Sequence, residues 1–297
     1  MAMEMEMEME MEMGLGTGPR PSLGGVAAEL QYRPMTLQFP LSSAALPAFP
    51  PNVLPASDWK WSDKSWDPDL ESYFVLLEFL GTPWQSINFD SFRQWDPSFN
   101  PTGYEAFVNG EIQKLLDMMR QERERYLSEI CSQQDSAAQY WPLLLRFTRA
   151  VKPATHRLIR TAVRVGELAV VYYKNEYKRP RASTVCPGLF PPFGPPGHPA
   201  FPSGHSTQSW LITFLLGKDG LTGKPDPVNP TKMISIYEPQ LEWLAERVAV
   251  NRERAGFHYP TDTAAGKHLA QEILTLLKSL PAGSHFQTMF AEAKAEW

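Results

Sequence analysis

The ten residues GHPAFPSGHS, at positions 197–206, end a proline-rich stretch and open an apolar helix. Ser203 is a residue type favoured at a helix N-cap, and Gly204 lets a ligand approach the backbone closely. The amides of a first helical turn have no partners inside the helix, so a phosphate could complete them. Histidine at position 205 suits proton transfer near neutral pH. The segment predicts an anion site, although a serine-glycine helix start followed by an exposed histidine is also common.

Two further segments add cations, a second histidine and a carboxylate. KNEYKRPRAS contains Lys174 and Arg181, which are seven residues apart, close to two helical turns. A proline between them interrupts this helix, so Arg181 is expected to enter from the turn. In NRERAGFHYPTD, Arg252 ends a helix and His258 precedes the next one. Asp262, four residues after His258, can accept its Nδ1 proton and leave Nε2 as the reactive nitrogen.

Each segment also has a purely structural interpretation. Lys174, Arg181 and Arg252 lie near predicted helix ends, where cations are favoured in any case, and His258 could be a satisfied turn residue. The other histidines are interpreted as structural or exposed, with His198 near enough in sequence to line the site; they are His156, His198, His268 and His285. The joint occurrence of three such segments in this order favours chemistry.

The combined pattern K-x6-R, PSGH and R-x5-H-x3-D resembles that of the type 2 phosphatidic acid phosphatase (PAP2) superfamily, which also includes bacterial acid phosphatases and vanadium-dependent haloperoxidases. The resemblance covers about Ala150 to Leu280. It implies that the oxygens of phosphate or vanadate are bound by three cations, a hydroxyl and an amide. These belong to Lys174, Arg181, Arg252, Ser203 and Gly204.

The same resemblance assigns roles to the remaining site residues. His258 would be the nucleophile of a phosphatase or the vanadium ligand of a peroxidase, with Asp262 orienting it and His205 as the acid-base partner.

Two positions depart from the family pattern, because Ala182 replaces a proline and Asn251 replaces a serine. An alternative register would use Arg179 in place of Arg181, but would put Tyr172 where lysine belongs.

Composition indicates a globular, acidic chain. Of its 297 residues, 43% are hydrophobic, and the formal net charge of −5 gives no reason to expect a nucleic-acid partner. No apolar run is long enough to span a bilayer and no secretory signal is recognised, so a cytoplasmic location is expected. Cys131 and Cys186 lack metal-ligand spacing and are interpreted as reduced, buried thiols.

The predicted fold is all-α, a helical bundle with the active site at helix ends and in connecting loops. Residues 1–57 are interpreted as a low-complexity, Pro/Gly-rich arm and residues 58–297 as a single domain, with the aromatic residues of 59–95 in its core. No strand is predicted, Pro180–Pro202 is expected to be a site-lining loop, and the charged run Arg120–Arg125 is expected to face solvent. The predicted helices are Pro68–Leu80, Tyr104–Ser132, Ala137–Ala150, Thr155–Tyr177, Ser203–Leu216, Pro239–Val250 and Thr261–Leu280.

These features predict a metal-independent acid phosphatase that cleaves a small phosphomonoester through a phosphohistidine, without a cofactor. Three cations would neutralise the phosphoryl oxygens while an imidazole attacks in line. The alternative is a vanadium-dependent haloperoxidase that oxidises halide with hydrogen peroxide, because vanadate resembles the phosphoryl-transfer transition state and fits the same charges. A phosphate-binding module without activity is a third possibility, and the oligomeric state is open.

Overall fold

The structure, a computed structural model, describes residues 66–297. Helices make up most of this part of the chain. The predicted arm 1–57 and the start of the predicted domain, including its aromatic residues before position 66, lie outside the described residues. Within 66–297, the ten α-helices are α1 Pro68–Leu80, α2 Tyr104–Gln121, α3 Arg123–Ser136, α4 Tyr140–Leu144, α5 Pro153–Tyr177, α6 Ala182–Val185, α7 Gly204–Leu216, α8 Glu238–Arg254, α9 Pro260–Lys278 and α10 His285–Lys294.

Short 3₁₀ turns occupy Trp84–Ser86, Asp90–Phe92, Ala137–Gln139 and Pro187–Leu189. Lys224–Pro225 (β1) and Met233–Ile234 (β2) form a small antiparallel ribbon. The all-α class is confirmed, although the absence of any strand is a wrong prediction because of this ribbon.

Helix α7 forms the centre of the described domain. Every residue of α7 except Phe214 is buried, and the helix packs against α5, α8 and α9. A helix that is buried around nearly its whole circumference needs neighbours on all sides. α1 and α10 cover α5 in turn. Aromatic residues before α2 pack into the same core, as predicted for Phe79, Trp84, Phe89 and Trp95.

Close packing of α7 on α9 depends on Gly266. A Cβ atom at this position would lie 2.7 Å from the Ser203 carbonyl oxygen and 2.7 Å from Ser206 Cβ. Ser206 cannot easily move, because its hydroxyl donates to the carbonyl of Thr263 at 2.7 Å.

We therefore expect Gly266→Ala to lower the free energy of unfolding by about 1–3 kcal/mol, because the added methyl overpacks the start of α7. Gly110 is the matched control, since it is exposed in α2 and its Cβ would meet nothing within 4 Å. Gly110→Ala should raise the free energy of unfolding by up to about 1 kcal/mol. Urea denaturation measures both changes, and equal stability of Gly266→Ala and the parent would contradict this account of the contact.

The predicted helix Tyr104–Ser132 is wrong as a single helix. It breaks at Glu122, where φ is −125°, and the chain continues as α3. The break also overturns the prediction that Arg120–Arg125 faces solvent throughout, because Arg123 is buried. Its guanidinium donates to the carbonyls of Leu189 and Phe190, each at 2.7 Å, and thereby holds the loop that follows α6.

The predicted helix Ala137–Ala150 is also shorter than expected. α4 ends at Leu144, and Arg146 has a φ of 55°, a left-handed conformation that does not continue a helix. The sequence reading missed α10, whose N-cap Ser284 accepts a hydrogen bond from the Gln287 amide at 3.2 Å.

The cysteines were also interpreted wrongly as buried. Cys131 is exposed and Cys186 partly exposed, and both thiols are free. None of the helices in residues 66–297 is both long and apolar enough to cross a bilayer. A cytoplasmic location stays a prediction.

Candidate oxyanion site

Helix ends and the loops between them carry the predicted site residues. Lys174 lies in the last turn of α5, which ends where Lys178 adopts a left-handed conformation with φ of 49°. Arg181 is the N-cap of α6, so it does enter from the turn. Ser203 is the N-cap of α7 and accepts a hydrogen bond from the Ser206 amide at 3.4 Å. Gly204 and His205 open α7, Arg252 lies in the last turn of α8, His258 in the α8–α9 turn and Asp262 in the first turn of α9.

His258 lies between Arg181 and Asp262. Its Nδ1 is 3.2 Å from Asp262 Oδ2, and its Nε2 is 2.8 Å from an Arg181 terminal nitrogen. A guanidinium can only donate a hydrogen bond, so Nε2 must accept, and the imidazole proton is assigned to Nδ1, which donates to Asp262. The contacts therefore select the tautomer with a lone pair on Nε2.

The surroundings of His258 keep it neutral. Burial, assisted by the positive charges of Arg181 and Lys174, lowers the pKa of His258 to about 3, against the opposing effect of Asp262. Burial alone would raise the pKa of Asp262, but Arg179 and the hydrogen bond with His258 lower it to about 2. Above about pH 4 the pair is therefore a neutral imidazole beside an ionised carboxylate.

This pKa shift predicts an acid-sensitive contribution to stability. In the unfolded chain a histidine binds its proton near pH 6.5, whereas folded His258 stays neutral down to about pH 3. The native state binds fewer protons in this window, so stability present above pH 6.5 should be lost as the pH falls towards 3, on the order of 4–5 kcal/mol in total.

Urea unfolding of the parent and of His258→Gln at pH 7, 5 and 4 measures this contribution. As the pH falls, the free energy of unfolding of the parent should decrease steadily relative to that of the variant. A difference independent of pH would show that folding does not perturb this histidine.

The loop that follows α6 connects the two cations of the first segment. Lys174 Nζ donates to the carbonyls of Pro199 and Ala200 at 2.8 and 3.3 Å. Arg181 Nε donates to the His198 carbonyl at 2.8 Å, and a terminal nitrogen of Arg181 lies 2.9 Å from His198 Nδ1. His198 is therefore beside the candidate site, as its position in the sequence indicated.

His205 and Arg252 meet α3. His205 Nε2 lies 3.2 Å from the Gln133 carbonyl, and because a carbonyl only accepts, Nε2 donates this hydrogen bond. Arg252 donates to the carbonyl of Ile130 at 2.7 Å and to Gln134 Oε1 at 3.2 Å. Sequence reasoning gave no part to α3 residues at the site.

The hydrogen bonds thus form two groups. One joins Arg181, His258 and Asp262 to the start of α7, because the Ser203 amide donates to the Asp262 carbonyl at 3.0 Å. The other connects His205 and Arg252 through residues 130–134 of α3. All the charged or titratable site side chains are buried: Lys174 is 2% exposed, Arg181 4%, His205 2%, Arg252 1%, His258 1% and Asp262 0%.

Arg179, the alternative anion ligand, is engaged elsewhere. It donates to Asp262 Oδ1 at 2.7 Å and to Glu111 Oε2 at 2.6 Å. Arg181, which contacts His258, therefore stays the candidate anion ligand of the two arginines. Glu111 was missed, although its sequence position gave a signal: it lies one turn before Leu115, on the apolar face of α2.

The chain is similar to a vanadium-dependent bromoperoxidase of Ascophyllum nodosum. The two are 36% identical over an alignment 95 residues long, which covers 27% of this chain. The match spans 17% of the bromoperoxidase, so it concerns a small part of that protein. No protein-family model matches the chain. This partial similarity points no further than the superfamily of PAP2 phosphatases and haloperoxidases.

Proposed function

We propose that the protein is an enzyme of the PAP2 and haloperoxidase superfamily that hydrolyses a small phosphomonoester through a phosphohistidine at His258. The observation that carries the proposal is the neutral His258 ring, with Asp262 on Nδ1 and a guanidinium on Nε2. A neutral imidazole with its lone pair on Nε2 can act as a nucleophile once the guanidinium that donates to this nitrogen turns to the oxyanion.

Binding of the anion would redirect Arg181. A terminal nitrogen of Arg181 lies 2.8 Å from His258 Nε2, within hydrogen-bond distance. A phosphate offers the guanidinium a charged acceptor, which is preferred over a neutral ring nitrogen. The lone pair on Nε2 then becomes available for attack, while Lys174 and Arg252 neutralise the remaining oxygens.

The reaction takes two steps. His258 Nε2 attacks phosphorus in line, the bond to the leaving oxygen breaks, and protonated His205 gives that oxygen a proton. His205, now neutral, then takes a proton from water, whose oxygen attacks the phosphohistidine and releases inorganic phosphate. Burial strengthens the charge stabilisation of both steps, because the site is shielded from bulk water. The step needs no metal ion.

The similarity to the bromoperoxidase favours a second candidate, a vanadium-dependent haloperoxidase. The residues suit vanadate, since His258 offers a neutral nitrogen donor and Lys174, Arg181 and Arg252 supply compensating positive charge. Bound vanadate would supply the activation of hydrogen peroxide for halide oxidation. This chain would hold the oxygens through its cations, keep His258 unprotonated at Nε2, and exchange a proton at His205.

Parallel assays of the phosphate-free protein separate these candidates. Phosphate release from p-nitrophenyl phosphate is measured in EDTA, with and without vanadate as inhibitor. Bromide oxidation by hydrogen peroxide is measured with and without added vanadate. Arg181→Ala is the test variant and should abolish either activity. Arg120→Ala is the matched control and should keep the parent activity, because it alters an exposed arginine of α2.

We expect EDTA-resistant phosphate release that vanadate inhibits and that Arg181→Ala removes. Vanadate-dependent bromide oxidation without phosphate release would replace the phosphatase proposal with the haloperoxidase. If neither reaction occurs while inorganic phosphate still binds, the proposal of an enzyme fails and a phosphate-binding module takes its place.

A further inference from the structure

We infer that Arg179 and Glu111 are positioning residues that hold Asp262, and through it His258, in the orientation the reaction needs. This inference rests on the proposed function. It comes from a buried hydrogen-bond network around Asp262 Oδ1, the oxygen that does not contact His258. The inference gives a role to the charges of Arg179 and Glu111, which the mechanism above does not use.

Arg179 joins two carboxylates from distant parts of the chain. Its terminal nitrogens donate to Asp262 Oδ1 at 2.7 Å and to Glu111 Oε2 at 2.6 Å. Arg179 is 2% exposed, Glu111 4% and Asp262 0%. Its guanidinium also lies 3.6 Å from the centre of the Tyr259 ring and 4.8 Å from that of Trp95. Packing on these rings restricts its rotation.

Glu111 fixes the first turn of α9 independently of Arg179. Its Oε1 accepts hydrogen bonds from the Thr261 amide at 2.8 Å and from the Thr261 hydroxyl at 2.7 Å. The same hydroxyl accepts from Arg179 at 2.8 Å. Because Thr261 directly precedes Asp262, α2 controls both the backbone and the side chain of the residue that orients His258.

The two arginines of the Arg179-Pro180-Arg181 sequence therefore contact opposite ends of the hydrogen-bonded pair of Asp262 and His258. Arg179 donates to the oxygen of Asp262 that His258 does not use, and Arg181 donates to the His258 nitrogen that Asp262 does not use. The ring of Pro180 fixes the backbone between them, which keeps the two guanidiniums on separate targets. Without Arg179, Asp262 Oδ1 would lose its charged donor and the carboxylate could rotate away from His258 Nδ1.

The test separates positioning from anion binding and from stability. Glu111→Gln keeps the size of the side chain but presents an amide donor or a neutral oxygen to Arg179. We expect it to lower kcat for phosphate release by about 10- to 100-fold, with KM and the Kd for inorganic phosphate changed less than about twofold. Arg181→Ala should instead weaken phosphate binding strongly, because it removes an anion contact.

A pair of apolar variants controls for stability. Glu111→Leu alone leaves a buried guanidinium with one carboxylate fewer, whereas Arg179→Met combined with Glu111→Leu removes both charges. Both should be less stable than the parent, and the double variant the less stable of the two, because Asp262 is then buried without its charged donor. The value of kcat is therefore measured per folded molecule, below both melting temperatures, and should be lowest in the double variant. A parent-like kcat per folded double variant would overturn the inference and leave a structural role, and a loss of phosphate affinity as large as in Arg181→Ala would make Arg179 an anion ligand.

A readout without turnover distinguishes this inference from the proposed function. Proton and nitrogen-15 NMR of the histidine side chains should show His258 protonated at Nδ1 in both the parent and the double variant, because Arg181 still donates to Nε2. The Nδ1 proton resonance should lie further upfield in the double variant, because its hydrogen bond to Asp262 is weakened. An unchanged resonance overturns the inference even if the parent is an active phosphatase. An inactive parent that shows the expected upfield shift contradicts the proposed function while supporting the positioning role.

Discussion

Replacing His258 with alanine is expected to lower the rate of phosphate release by at least about 10⁴-fold. The substitution removes the atom that forms the bond to phosphorus, and the loss of a covalent nucleophile leaves only binding and charge stabilisation. The Kd for inorganic phosphate should change far less, because Lys174, Arg181 and Arg252 remain. Single-turnover phosphate release and calorimetric binding of inorganic phosphate measure the two quantities.

The matched control is His285→Ala. The His285 ring is 59% exposed, pairs with Glu78 and stacks on Phe74, in α10 and α1 and away from the candidate site. This variant should keep the parent kcat. Full activity of His258→Ala would exclude a phosphohistidine at this position, whereas a loss of the helical circular-dichroism signal in that variant would require repeating the measurement with His258→Gln.

The sequence predicts the helices around the site within a few residues, for identifiable physical reasons. α5 begins at Pro153 and α9 at Pro260, and proline is favoured at the first helical position. α7 begins directly after Ser203, whose hydroxyl caps it. These signals act over one turn of chain, so they can be recognised without knowledge of the tertiary structure.

The breaks in the N-terminal half of the described chain could not be predicted in this way. Glu122 has no helix-breaking side chain, yet α2 ends there because Arg123 is drawn inward by the carbonyls of Leu189 and Phe190. Those acceptors lie 66 and 67 residues further along the chain. A periodicity that continues past the break therefore predicts one helix where long-range contacts make two.

The candidate site also has contacts that local sequence predicts and contacts that depend on distant parts of the chain. The contact of His258 with Asp262 could be predicted from the sequence, because only three residues separate a histidine that precedes a helix from a carboxylate in the first turn of that helix. Spacing cannot decide which of Arg179 and Arg181 is the proposed anion ligand, since the two have identical chemistry and differ by two positions. The long-range contact of Arg179 with Glu111, which lies 68 residues before it, supports the choice of Arg181.

Replacing Asp262 with asparagine is expected to lower kcat/KM by about 10³- to 10⁴-fold, although the side chain keeps its shape. The carboxylate accepts hydrogen bonds from Arg179, the Tyr259 amide and His258 Nδ1. An asparagine has one oxygen for these donors. If that oxygen stays on Arg179, the amide nitrogen faces His258 Nδ1, which must then give up its proton and accept.

The proton would move to Nε2, where it removes the nucleophilic lone pair and meets the N–H of Arg181. Asp262→Ala lacks this effect, because no donor then faces Nδ1 and Arg181 still selects the tautomer with a free lone pair on Nε2. Per folded molecule, the isosteric Asp262→Asn should therefore be less active than the truncated Asp262→Ala. Measurements of kcat/KM for both variants test this order, and a more active Asp262→Asn would mean that Asp262 does not act by selecting the tautomer of His258.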